Sequence, residues 1–203
     1  MPNLEDRLHD DGLTYDAYRA HWREQKTDSV TDKDPDARKM LHYLKYNWER
    51  QAHVHDEYTP SDDLQAAVDA IASPQTWMVI TEPWCGDSAF LLPVIAEAAA
   101  LNDAVSLHIL LRDDHLDVMD QYLTDGSRSI PKLVALADDG TELFTWGPRP
   151  EGARQRFEEL RGQYDDKEAM IGDFIEHYED GGWHEADAEL ARAVHTSVSS
   201  PTE

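Results

Sequence analysis

Two strand-length apolar runs with a helix-length segment between them constrain this chain more than any other feature. TWMVIT (76–81) and VSLHILL (105–111) are rich in β-branched and apolar residues, and from Ser88 to Leu101 the apolar side chains Phe90, Leu91, Val94, Ile95 and Ala98 recur at helical spacing. A helix inserted between two strands forces a crossover, so these two strands should pair in parallel. Downstream, HLDVMDQYL (115–123) reads as a shorter helix. KLVALADDGTELFTW (132–146) reads as a hairpin turning at Asp138-Asp139-Gly140, which makes the last pairing antiparallel.

Helical sequence lies on both sides of this α/β centre. Tyr15, Tyr18 and Trp22 mark one helical face, and Met40, Leu41, Leu44 and Trp48 mark a second, with the turn-like KTDSVTDKDPD between them. TPSDD (59–63) offers N-cap residues for a third helix carrying Leu64, Ala67, Val68 and Ile71. EGARQRFEELRGQY, KEAMIGDFIEHY and WHEADAELARAVH read as three further helices, broken at Asp165-Asp166 and Gly181-Gly182, and the tail SVSSPTE should fray. The organisation expected is an N-terminal helical extension (1–61), a central domain (62–160) and a C-terminal helical extension (161–203). The aromatic residues of the first helices should pack on the core or against a second subunit, which leaves a homodimer open.

Charge narrows the partners. Asp and Glu total 42 against 18 Lys and Arg, a formal charge of −24, and only six of the cations are Lys. Such a field repels nucleic acid and anionic lipid, both of which need a cationic surface. It also suits a cytosol of concentrated salt, where the screening length shrinks to about 3 Å at about 1 M, so a halophile is the expected source. The opening MPNLEDRLHDDG lacks a basic and then apolar leader, and every apolar run is far short of a membrane span, so a cytoplasmic location is expected. His53-Val54-His55 would gather two imidazoles on a strand, but on a helix end they point apart, and no other ligand spacing stands out, so no metal is expected. Phosphate-cradling glycine loops and the G-x-S-x-G elbow are both missing from the sequence, and no cofactor is expected.

The chemistry centres on TEPWCGDS (81–88), which holds the single cysteine of the 203 residues, so no internal disulfide can form. Cys85 lies where a strand has ended and a helix begins. Free N–H groups and the helix dipole there favour the thiolate. Gly86 lets the backbone turn closely at the sulfur, Ser88 is placed to donate to it, and Asp87 adds a negative charge that opposes ionisation or caps the helix. These influences have opposite signs, and spacing does not decide between them. A lone cysteine is also commonly a small buried hydrophobe.

WCGDSAFLLP resembles the active-site helix of the thioredoxin superfamily, with Pro93 at the family's kinking proline. RSIPKLVAL resembles the segment that ends in its cis-proline, with Pro131 in that role and Ile130 before it, and Gly147 falls at the glycine beside the same surface. TEPWCGD, RSIPKL and TWGPRP look most like a bacterial branch of thioredoxin-like proteins. The resemblance covers residues 62–160 and implies a three-layer thioredoxin-like sandwich. It implies Trp84, Cys85, Asp87 and Ser88 at a catalytic position and Ile130 and Pro131 as a platform for an extended peptide. Arg128 and Arg149, on loops that should converge on Cys85, are candidates for stabilising a thiolate or holding a carboxylate.

Two departures from the family pattern matter. Ser88 replaces the second thiol, and Val79 stands where the family has a buried acid. A peroxiredoxin is disfavoured too, because Thr81 lies four residues before Cys85 rather than three. Two functions remain open. One is a monothiol thiol–disulfide oxidoreductase forming mixed disulfides at Cys85 with a protein or low-molecular-weight thiol. The other is a binding or adaptor protein that keeps the fold and uses only its cis-proline surface.

Overall fold

In the computed structural model, residues 4–27 and 34–199 are described, and the turn-like residues 28–33 and tail residues 200–203 lie outside them. Four helices come first: α1 (Leu4–Asp11), α2 (Tyr15–Lys26), α3 (Pro35–Glu57) and α4 (Asp62–Asp69). The centre follows as β1 (Gln75–Thr81), α5 (Gly86–Ala100), β2 (Val105–Leu111), α6 (Leu116–Met119), β3 (Lys132–Ala137) and β4 (Glu142–Trp146). The chain ends with α7 (Glu151–Arg161), α8 (Lys167–Glu179), a single 3-10 turn (Gly182–His184) and α9 (Glu185–Ser199).

The sheet order is β2-β1-β3-β4, with β1 and β2 parallel and the other two pairings antiparallel. Side chains alternate across a strand, so a run buried on both faces reads as continuously apolar. Trp77 and Val79 of β1 and Leu133 and Ala135 of β3 face the larger core with α2, α3, α4, α5 and the C-terminal helices. Met78, Ile80, Val134 and Leu136 face a smaller core with Leu8 of α1 and Val118 and Met119 of α6. This is a three-layer α/β sandwich with helical extensions.

Three details correct the sequence expectations. Within the helical extension, α1 adds a short, highly charged helix to the three marked by apolar spacing; it is held by Leu8, buried in the smaller core. Beyond it, Leu13 and Ile109 exchange backbone hydrogen bonds of 2.9 and 2.8 Å, closing the free edge of β2. The helix expected over 115–123 stops at Met119, and Ser197–Ser199 of the expected frayed tail complete α9.

The extensions pack onto the centre rather than trailing from it. Trp22 of α2, fully buried, donates to the Leu44 carbonyl of α3 at 3.0 Å. Asp187 of α9 accepts from Tyr58 Oη at 2.6 Å and Ser61 N at 2.9 Å, fastening α9 to the start of α4. The N-termini of α2, α3 and α4 are capped by Thr14, Asp34 and Ser61, each accepting from the amide three residues on.

Candidate functional site

Cys85 is the N-cap residue of α5, with an extended backbone and no capping hydrogen bond from its side chain. Its Sγ lies 3.4 Å from the Ile130 carbonyl, to which the thiol donates, joining two segments 45 residues apart. Ile130-Pro131 is cis, and so is Gly147-Pro148. Gly147 sits against the back of this loop, where a Cβ would come within 2.3 Å of the Pro131 carbonyl oxygen. The structure therefore gathers Trp84, Cys85, Ile130, Pro131 and Gly147 at one place.

Only 8% of Cys85 is exposed. The extension helices reach this region from both sides. Asn47 of α3 donates to the Pro83 carbonyl at 3.4 Å, and Ile175 of α8 lies against Gly86, 3.2 Å from where a Cβ would be. Burial pushes the thiol up to about 11, with the Asp87 charge adding to the rise. The nearby Ser88 hydroxyl and amide, together with the Arg149 charge, pull the other way and lose. The opposing influences legible in the sequence are thus resolved in favour of the neutral thiol.

Asp87 does not face the sulfur as a bare charge. Arg149 holds it through two hydrogen bonds of 2.8 Å, and Tyr178 of α8 donates to it at 2.9 Å. The guanidinium rests 3.9 Å from the Phe157 ring centre and 5.0 Å from that of Phe174, while Tyr178 stacks on Phe90 at 4.9 Å. This lock ties α5, the loop after β4, α7 and α8 together. Ser88 is also committed, since its oxygen accepts from Thr81 Oγ1 at 2.6 Å.

Arg128 is not part of this cluster. It pairs with Asp120 at 2.6 and 2.8 Å on an exposed surface. Arg112, just after β2, lies against the tryptophan. Its guanidinium lies 4.7 Å over the Trp84 ring and donates to the Arg128 carbonyl at 3.3 Å.

The sequence also gave no hint of Glu82. The residue is 6% exposed, and its carboxyl group accepts from the Asp113 amide at 2.8 Å. Burial raises it from 4.5 to about 7, and Asp113 and Asp114 add to the rise, against Arg112 and the Asp113 amide hydrogen bond. Between these values the folded chain keeps a proton that the unfolded chain has released. The contribution of Glu82 to stability therefore falls as pH rises from about 4.5 to about 7. We expect this slope to amount to about 2 kcal/mol and to vanish in Glu82→Gln, whose amide oxygen still accepts from Asp113. Urea unfolding of both proteins at about pH 5 and about pH 7.5 reads the difference directly.

Neither histidine of the His53-Val54-His55 pair joins a metal-ligating cluster among the described residues; His55 lies 3.4 Å from Glu97. No described helix is long and apolar enough to cross a membrane.

The sequence model of a thioredoxin family matches residues 35–161. A protein of unknown function from Pseudomonas aeruginosa has a similar structure, with a TM-score of 0.61 at 17% identity over 97% of this chain and 99% of that one. An HIV epitope-scaffold protein gives 0.60 at 18% identity over 94% and 96% of the two chains. Both likenesses are of fold. No curated protein matches the chain.

Proposed function

This chain belongs to the thioredoxin family, and from that premise we propose that it is a binding or adaptor protein rather than a redox enzyme. On this reading the cis-proline surface of Ile130 and Pro131 holds an extended segment of a protein partner. The observation that carries it is the state of Cys85, a buried thiol donating to the Ile130 carbonyl and raised to about 11. At pH 7 such a thiol is ionised in about one molecule in ten thousand, some hundredfold less than a thiol at its ordinary value. The absence of a second thiol supports the same reading, because an internal disulfide cannot resolve a trapped partner.

One observation favours the monothiol alternative. The sulfur sits against the cis-proline loop, where a disulfide-bearing peptide would lie, and Ser88 and Arg149 both act to lower its pKa. In that mechanism the Cys85 thiolate would attack one sulfur of a disulfide, forming a mixed disulfide and expelling the other sulfur as thiolate. An external thiol would then release the partner and restore Cys85.

The two readings separate on the folded chain treated with β-hydroxyethyl disulfide at neutral pH. The binding reading expects intact-mass spectra with no adduct in the native state and full adduct after denaturation. Rapid adduct formation in the native state, abolished in Cys85→Ser, would establish the monothiol reading instead.

A further inference from the structure

Beside the Cys85 loop, but not including the sulfur, a cavity of about 360 Å³ opens between α2, α3 and the turn after β1. Its walls are Ala37, Met40, Leu41 and Leu44 of α3 together with Trp84, and Gln25 of α2 adds an amide. Among the described residues one ionisable group lines it, the carboxyl of Glu82. A cavity of this kind, apolar with a carboxyl and an amide among its walls, is the usual form of a small-molecule site.

The Glu82 carboxyl is committed on one side only, through the Asp113 amide at 2.8 Å. None of the ion pairs formed among the described residues includes it. The nearby guanidinium of Arg112 is itself taken by Asp113, at 3.0 and 2.7 Å. A buried carboxylate without a cation is costly, and one that gains a cation recovers that cost. The field of the whole chain, −24 in formal charge, draws cations and turns anions away.

We propose that this cavity binds a small cationic amphiphile, a primary amine carried on a short apolar body. The Glu82 carboxylate takes the ammonium, and Trp84 with Met40, Leu41 and Leu44 encloses the apolar part. The cavity's size fits one such molecule and no folded partner. The cavity shares Trp84 with the Cys85 site, but among the described residues neither Cys85 nor the cis-proline loop lines it, so this inference does not rest on the sulfur.

The test is calorimetric titration of the full chain with benzylamine and with benzyl alcohol, its neutral isostere, at about pH 8, above the Glu82 titration. The amine should bind at least about tenfold more tightly than the alcohol. Glu82→Gln should remove that preference while the alcohol still binds. Met40→Trp, at a position 42% exposed, should fill the cavity and weaken both ligands without loading the core. That second variant decides the matter if Glu82→Gln does not fold. Equal affinities for amine and alcohol, no heat from the amine, or binding unaffected by either variant would overturn the proposal.

Discussion

Replacing Arg149 with methionine should destabilise the protein by about 2–3 kcal/mol, measured by urea unfolding. Breaking a fully buried ion pair by removing one partner costs about 3–5 kcal/mol, because the remaining charge is stranded. The figure here is lower because the Arg149 side chain keeps 22% exposure and that of Asp87 11%. Methionine keeps contact with Phe157 and Phe174 but leaves the Asp87 carboxylate with Tyr178 alone. Adding Asp87→Asn removes the stranded charge, so the double variant should recover at least about 1 kcal/mol relative to Arg149→Met. Strict additivity of the two substitutions would mean that the lock contributes nothing as a unit. The single variant should also raise the Cys85 thiol further, since the cation opposing Asp87 has gone.

Gly147→Ala should cost about 3 kcal/mol or more and should disturb the site itself. The residue has φ of +103°, a conformation that a side chain resists, and its Cβ would meet the Pro131 carbonyl oxygen at 2.3 Å. That neighbour is backbone and cannot rotate aside, so the loop carrying Ile130 and Pro131 must move. The thiol's bond to the Ile130 carbonyl should then loosen, and Cys85 should become easier to alkylate in the folded state. Gly126→Ala provides the control: φ is again positive, at +75°, but a Cβ there meets open space. It should cost about 1 kcal/mol and leave the thiol unchanged. Similar losses in the two variants would show that conformation alone, not the close approach, matters at Gly147.

What the sequence made legible follows the range of the interactions involved. The β1 run is apolar throughout because Trp77 and Val79 face one core and Met78 and Ile80 the other, and that pattern is visible residue by residue. The crossover and the hairpin turn at Gly140 are equally local, and the cis-proline segment was recognised from its motif. The pKa of Cys85 was not legible, because desolvation depends on what surrounds the sulfur in space. Ile175 and Tyr178 arrive at the start of α5 from a helix about ninety residues away, and Asn47 from one on the other side. Glu82 stood in plain view three residues before the cysteine, yet only the fold reveals that it is buried and lines a cavity. Arg128 shows the converse limit of reading by position. Position along the chain placed it near the site, and its pairing with Asp120 takes its side chain elsewhere.

The binding reading rests on a neutral, enclosed thiol, and the rate of Cys85 alkylation by iodoacetamide as a function of pH reads that state. The folded protein should react at least about a hundredfold more slowly than free cysteine at neutral pH, with no inflection below about 10 and full reaction after unfolding. An inflection below about 8 in the folded protein would contradict the binding reading and return Cys85 to the role of a nucleophile.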